Sequence, residues 1–369
     1  MNWWRNLKGR IRLAEPLKDH TYFKIGGPAK FFIEPQDPND LKLLLSLVKR
    51  YNFPIFVIGR GSNLLISDKG INGVVLRLNA PYFKKIAFPP LAESAIGVIG
   101  DNLSRQAIQI EGGIPPYCLN KGAGKVRFSV VSPSTSFRTN GERSRTIRKG
   151  SYTFLHHKKL SYRDNYLNVG SGVLLSRVVL FAQDYGLSGA EFLAGIPGTV
   201  GGALAMNAGI AQDNRSIAEL VESVTVMDYR GNRKILNKKD IRFGYRTSSL
   251  SKYIILSALI KLNRKNKEQI NDKIKAYLKY RKLTQDLSKP SAGCIFRNPT
   301  GNSAGRLIDL CGLKGKRIGG AGVSLKHANF ILNLENAAAR DVLQLTDLIK
   351  KEVRKKFNID LKPEIKIWQ

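Results

Sequence analysis

The hydrophobic patterning of this chain breaks down once, over a long stretch. From residue 86 to residue 165 neither helical nor strand spacing persists, and Pro89-Pro90, Gly112-Gly113, Pro115-Pro116 and Ser132-Pro133-Ser134-Thr135-Ser136 interrupt whatever pattern begins. A segment of that length without secondary structure does not build a core. It therefore reads as an insertion, weakly structured or in part disordered. The core must be assembled from two stretches separated in sequence, 1–85 and 166–369, and the ends of the insertion must lie close together. The insertion is expected to fall between a strand and its continuation.

The flanks are regular. Residues 1–19 read as a short lead-in with an amphipathic turn. Ala29 to Pro35 has strand character ended by proline, and Asp40 to Tyr51 carries Leu41, Leu44, Leu45, Leu47 and Val48 at helical spacing, with Asp37 or Asn39 as N-cap. Pro54–Ile58 and Gly73–Leu78 read as strands. Beyond the insertion, a strand over Leu167–Gly170 precedes a helix over Leu174–Tyr185 closed by Gly186. Strands follow over Ser223–Tyr229 and Ile254–Leu262, then a Lys-rich helix over Asn266–Arg281. A last region holds a turn bearing Cys294, a helix over Ser303–Cys311, a strand over Ala328–Asn333 and a helix over Ala339–Phe357. This mixture is an α+β organisation.

Composition narrows the functional classes. With 369 residues the chain can hold two or three domains with real cores. Apolar runs such as Ile254-Ile255-Leu256 are far below the roughly 20 residues of a membrane span. The N-terminal Met1-Asn2-Trp3-Trp4-Arg5 lacks a signal-peptide core, so a cytoplasmic location is expected. Cys118, Cys294 and Cys311 form no C-x-x-C pair and leave an odd number, against a disulfide framework and a structural zinc site. Adjacent His156 and His157 point to opposite faces of a strand and chelate poorly; no metal is expected. The net charge of +33 suggests either polyanion binding or a basic solvated surface. Between Lys121 and Arg163 there are 11 Lys/Arg and one acid, Glu142, but no recognition motif accompanies them, which favours the solvated surface and no specific nucleic acid.

Three motifs carry chemistry. Gly59-Arg60-Gly61-Ser62-Asn63 follows a strand and is either a tight hairpin or a cradle whose N–H groups and side chains close on a phosphate. It is neither G-x-G-x-x-G nor a P-loop. Gly195-Ile196-Pro197-Gly198-Thr199-Val200-Gly201-Gly202 is either a loop buried by close packing or one that lies against a pyrophosphate and a ring edge. Ser291-Ala292-Gly293-Cys294-Ile295-Phe296-Arg297 puts a proton-bearing thiol on backbone that a flat ring can approach.

With Thr21–Pro28, Met206–Gly209, Gly244-Tyr245-Arg246, Ser303–Ile308, His327-Ala328-Asn329-Phe330 and Pro363-Glu364, these motifs resemble the UDP-N-acetylenolpyruvoylglucosamine reductase family over roughly 20–85 and 166–368. The resemblance implies an α+β fold with a two-subdomain FAD-binding frame of the vanillyl-alcohol-oxidase type and a C-terminal substrate domain. It divides the chain into 1–85 (first FAD subdomain), 86–165 (insertion), 166–285 (second FAD subdomain) and 286–369 (UDP-sugar domain). It also implies FAD and NADPH as cofactors, a UDP-sugar substrate and a monomer. In that chemistry NADPH reduces the flavin, a hydride passes to the vinyl carbon of the enolpyruvyl sugar, and a proton reaches C2. Carried over by position, Cys294 is the proton donor, Arg246 the active-site cation and Glu364 the C-terminal acid. Gly59, Arg60, Gly61, Ser62, Asn63, Gly195, Ile196, Pro197, Gly198, Thr199, Gly201, Gly202, Asn207 and Gly209 fall on the FAD side. Tyr245, Asn298, Ser303, Arg306 and Lys314 are candidate substrate contacts, with a packed aromatic and a helix-surface residue the alternatives for Tyr245 and Arg306.

Two departures stand out. Cysteine occupies position 294, where serine is usual; a thiol is a more acidic donor, and its thiolate is open to oxidation. The second is the insertion. The short run from Arg246 to Ser291 resembles the shorter subtype of the family. The competing readings are another flavin oxidoreductase on the same frame, for which His20 is the sole candidate covalent tether near the N-terminal loops, and a basic polyanion-binding protein without activity.

Overall fold

The computed structural model describes residues 3–89, 165–210 and 213–369. Nearly all of the insertion lies outside them, together with its basic run, Cys118, His156 and His157.

The first sheet is four-stranded, in the order β1 (Arg10–Pro16), β2 (Pro28–Glu34), β5 (Ile71–Arg77), β3 (Ile55–Ile58). β1 runs antiparallel to β2, and the other pairs are parallel. Residues 10–16 are thus a strand rather than the expected loose lead-in. The reason lies in Asp40, whose buried carboxylate accepts the main-chain N–H groups of Lys8 and Gly9, each at 2.9 Å, while Trp3 and Trp4 pack on Phe31. Helix α1 (Pro38–Arg50) opens where the sequence predicts: Asp37 accepts from the N–H groups of Asn39 and Asp40. Its apolar stripe of Leu41, Leu44, Leu45 and Val48 is buried against Phe31, Ile33 and Val74.

Short strand β4 (Leu64–Ile66) follows β3, and β6 (Ile86–Ala87) follows β5. The second sheet is antiparallel throughout, in the order β9 (Arg233–Asn237), β8 (Val221–Met227), β10 (Ile254–Lys261), β7 (Tyr166–Gly170), β6. Residues 86 and 87 therefore belong to a sheet and not to the insertion. Ile86 pairs with Val169 and Ala87 with Asn168, so the insertion occupies a hairpin position between two antiparallel strands, not a break within one strand. Its ends are close together, as a folded frame requires. Phe88 packs edge-on to Tyr185 at 5.1 Å, keeping the near stem on the frame. Because closing a short loop between already paired strands costs little, a chain with 90–164 replaced by a two- to four-residue turn is expected to keep a single cooperative melt. Circular dichroism checks this, and loss of the transition would show that the frame depends on the removed residues.

Helix α2 (Leu175–Asp184) and helix α4 (Lys267–Thr284) cover the second sheet, and α4 extends three residues past the Arg281 boundary read from the sequence. Within the glycine-rich stretch read as a loop, Val200–Met206 is a helix, α3, capped by Thr199 Oγ1 accepting from Gly202 N–H. The third sheet runs β11 (Ser291–Cys294), β14 (Phe330–Asn333), β13 (Ala321–Val323), β12 (Arg317–Ile318), with α5 (Ala304–Leu310) and α6 (Ala339–Phe357) over it. Cys294 thus ends a bulged strand instead of sitting in a turn. The last strand, β15 (Lys366–Trp368), returns to pair in parallel with β4, and Asp68 caps α6 through the N–H groups of Ala339 and Arg340. These links tie the C-terminal sheet to the first.

Candidate active site

A cavity of about 1760 Å³ is walled by both glycine-rich segments, the hairpin at Tyr245, the end of α4 and the Ser291–Cys294 strand. That is well above a typical small-ligand pocket and large enough for a dinucleotide with a second ligand beside it. The two glycine segments meet: a Cβ on Gly59 would stand 2.7 Å from Thr199 Oγ1. At Gly61 the backbone has φ +65°, and a Cβ there would lie 2.2 Å from the carbonyl oxygen of His20. Only glycine serves this position. Gly59, Arg60, Gly61, Ser62, Asn63, Gly195, Ile196, Pro197, Gly198, Thr199, Gly201, Gly202 and Gly209 all line the cavity. Asn207 does not. It ends α3 at φ +45°, donates from Nδ2 to the Gly244 carbonyl at 3.0 Å and accepts from Ala218 N–H, so it braces the hairpin behind the wall.

Phe243–Gly244 pairs with Thr247–Ser248, which puts Tyr245 and Arg246 at the tip of a hairpin. Arg246 has φ +53°, an uncommon conformation for a side-chain-bearing residue. From there its Nη1 donates to the Gly209 carbonyl at 2.9 Å, and its Nε lies 3.0 Å from Glu364 Oε1. Its guanidinium also lies 5.5 Å from the centre of the half-exposed Tyr245 ring. Glu364 reaches the same place from the far end of the chain. Its N–H donates to the Ile295 carbonyl at 2.7 Å, its own carbonyl accepts from Asn63 Nδ2 at 3.2 Å, and Phe296 bridges to Pro363. Burial raises the Glu364 carboxyl pKa, and the Arg246 and Arg297 guanidinium groups hold it back.

Cys294 is partly buried, and its thiol is pushed up to about 12, first by burial and then by the Glu364 charge, against the pull of Arg246 and Arg281. A neutral thiol across the physiological range keeps its proton until an acceptor arrives. Gly293, at φ +79° with nothing within 4 Å of where a Cβ would be, leaves the approach to that thiol open. Between an ordinary thiol pKa of about 8.5 and about 12 the unfolded chain has released a proton that the folded chain still holds. Stability is therefore lost as pH rises through that window. Cys294→Ala is expected to flatten this part of the stability profile, read from urea melts at about pH 8 and about pH 10.

Tyr245, Asn298 and Ser303 line the cavity, while Asn298 Oδ1 is already engaged with Ala304 N–H and Ser303 caps α5. Arg306 and Lys314 are not brought to the site. Arg306 is exposed on α5 away from the cavity, and Lys314 pairs with Asp309 Oδ2 at 2.7 Å. The buried stripe of α5, Leu307 and Ile308, decides which way Arg306 points. His20 is also outside the lining; its ring nitrogens face Glu15 Oε1 at 2.7 Å and Arg77 Nη1 at 2.9 Å. Sequence reasoning assigned no site role to Arg281, nor to Tyr22, His327 and Asn329, which it quoted only within family motifs, and all four line the cavity. The first sits in the last turn of a helix that ends shortly before Ser291, which is the one signal that could have marked it.

The residues present fit a flavin dinucleotide: two abutting glycine segments supply side-chain-free wall, and Arg246, Glu364 and Cys294 converge beside open space. The frame and this cavity define a flavin-dependent oxidoreductase of the FAD-binding α+β class. Residues 29–126 and 125–237 match the FAD binding domain, and 285–368 match the UDP-N-acetylenolpyruvoylglucosamine reductase C-terminal domain. The chain is 35% identical over 362 residues to the UDP-N-acetylenolpyruvoylglucosamine reductase of Geotalea uraniireducens (strain Rf4), spanning 98% of this chain and 95% of that one. For the reductase of that name from Bacillus subtilis (strain 168) the identity is 35%, with 97% and 94% spanned. The crystal structure of UDP-N-acetylenolpyruvylglucosamine reductase from Thermus caldophilus matches with a TM-score of 0.65 at 30% identity, over 98% of this chain and 100% of that chain. The chain belongs to the UDP-N-acetylenolpyruvoylglucosamine reductase family.

Proposed function

We propose that this protein reduces UDP-N-acetylglucosamine enolpyruvate to UDP-N-acetylmuramate for peptidoglycan synthesis, with FAD bound in the cavity and NADPH as reductant. The observation that carries the reading is the meeting of Arg246, Glu364 and Cys294, distant in sequence, beside a cavity walled by the two glycine segments. Bound FAD supplies hydride transfer between the nicotinamide and the enolpyruvyl group. The protein's residues bind, orient and move the proton. The Gly59–Asn63 and Gly195–Gly202 segments hold the dinucleotide. Arg246, kept in place by the Gly209 carbonyl and Glu364, stabilises negative charge developing on the carboxylate side of the substrate. Glu364 orients that end and restrains the guanidinium. Cys294 gives its proton to C2. Tyr245, Asn298 and Ser303 face the sugar diphosphate, and Arg306 and Lys314 drop out of that set. Residues 1–85 and 166–285 form the cofactor frame and 286–369 close over the UDP-sugar, in a cytoplasmic monomer.

The test is anaerobic flavin spectroscopy. NADPH is expected to bleach the flavin band, and the enolpyruvyl sugar alone is expected to restore it. A colourless protein, or a reduced flavin that recovers with oxygen and not with the substrate, would overturn the reading.

A further inference from the structure

Asn329 directly precedes β14 and is 3% exposed. Its carboxamide spans the main chain of Phe296. Oδ1 accepts from Phe296 N–H at 2.9 Å, and Nδ2 donates to the Phe296 carbonyl at 2.8 Å. The Asn329 carbonyl accepts from Ile295 N–H at 2.9 Å. The pairing of β11 with β14 slips in register between Ser291 and Cys294, and its last partners are Cys294 and Phe330. Beyond the main-chain bond from Ile295 to Asn329, the Asn329 side chain takes the place of a backbone partner for Phe296. The opposite edge is closed by the C-terminal segment: Glu364 N–H donates to the Ile295 carbonyl at 2.7 Å and Arg297 N–H to the Lys362 carbonyl at 2.9 Å. Residues 294–297 are thus gripped from both sides.

We propose that Asn329 is a positioning residue for proton transfer, its carboxamide splinting Phe296 while its main-chain carbonyl holds Ile295, so that the Cys294 thiol stands at a set place beside Glu364 and the cavity. The inference rests on the reading of Cys294 as proton donor. The same carboxamide favours the ionised form of the thiol, against the larger effect of burial. One group thus holds the donor and eases release of its proton. Asn329 lines the cavity outside both glycine segments and its side-chain bonds go to Phe296, so its effect is expected on reoxidation more than on reduction of the flavin by NADPH.

The test is a double-mutant cycle on the full-length flavoprotein, read by anaerobic stopped-flow. Asn329→Ala and Asn329→Asp are made with Cys294 present and with Cys294→Ala. The aspartate keeps the size and the acceptor for Phe296 N–H while losing the donor, which guards against an alanine variant that fails to fold. With Cys294 present, flavin reduction by NADPH is expected to stay within about twofold and reoxidation by the enolpyruvyl sugar to slow by about 10²-fold, the scale of a small misplacement. In the Cys294→Ala background neither substitution is expected to slow reoxidation further, because the residue it acts through is gone. If the two effects multiply, Asn329 does not act through Cys294 and the inference fails while the donor assignment stands. If Cys294→Ala alone reoxidises at the parental rate, the donor assignment falls and takes this inference with it. Loss of flavin or of a cooperative melt in both variants would make Asn329 a residue of the fold only, and would likewise overturn it.

Discussion

Cys294→Ala is expected to leave the reduction of bound flavin by NADPH unchanged and to slow its reoxidation by the enolpyruvyl sugar by about 10²–10⁴-fold, the usual worth of a positioned general acid. The split follows from where the thiol stands. It faces the cavity from the strand end, next to Glu364 and Arg246, and has no part in the glycine segments that would hold the dinucleotide. Hydride delivery into the flavin needs no proton from it, whereas completing the reduced product does. Cys294→Ser is expected to stay within about tenfold of the parent, because a hydroxyl of similar size can occupy the same open approach beside Gly293. Stopped-flow traces of each half-reaction check both variants. Parental reoxidation in the alanine variant would remove Cys294 from the chemistry.

The second large effect belongs to Arg246. Arg246→Ala is expected to cost about 2.7–4 kcal/mol in the reoxidation step, or 10²–10³-fold, the range for removing one preorganised donor aimed at developing charge. Two features of the site push the loss toward the upper end. The guanidinium is preorganised by the Gly209 carbonyl and Glu364, so no reorganisation accompanies its action. Removing it also withdraws the larger of the two cationic influences on Glu364. The carboxyl pKa, already raised by burial, then climbs further, and the fraction carrying a negative charge at a given pH falls. The pH profile of reoxidation in Arg246→Ala is accordingly expected to show its acidic limb at higher pH than the parent. Arg246→Lys is expected to recover little, since an ammonium cannot contact the Gly209 carbonyl and Glu364 in the same fork. A lysine variant close to parental rates would reduce the role of Arg246 to bulk charge.

Much of the fold was legible because its determinants are local. Asp37 caps α1, Asn266 caps α4, Ser303 caps α5 and Gly186 follows α2 in a left-handed conformation, each within a residue or two of where short-range chemistry places it. Strand β1 escaped notice because its partner is β2 and its anchor is the Asp40 carboxylate, neither visible in the residues of β1 itself. Helix α3 escaped because Gly201 and Gly202 in its first turn carry poor helix propensity, overridden by packing of Val200, Ala203 and Leu204 into the core.

The site divides the same way. That the glycine segments at 59 and 195 and the thiol at 294 line one cavity was an expectation carried by the resemblance to the reductase family, and the structure brings all three to it. That Asn207 braces the wall instead of lining it, that Lys314 spends its charge on Asp309 and that Arg281 and Asn329 turn inward are decided by which face of each element is buried, a property no local window contains. Sequence determined most of the secondary elements and the principal reactive groups, since caps, turns and side-chain chemistry act over a few residues. Tertiary structure alone decided which of those groups meet, because the contact of Arg246 with Glu364, and their place beside Cys294 on one cavity wall, exist only once β15 has returned to β4 and the last segment has closed over residues 295–297.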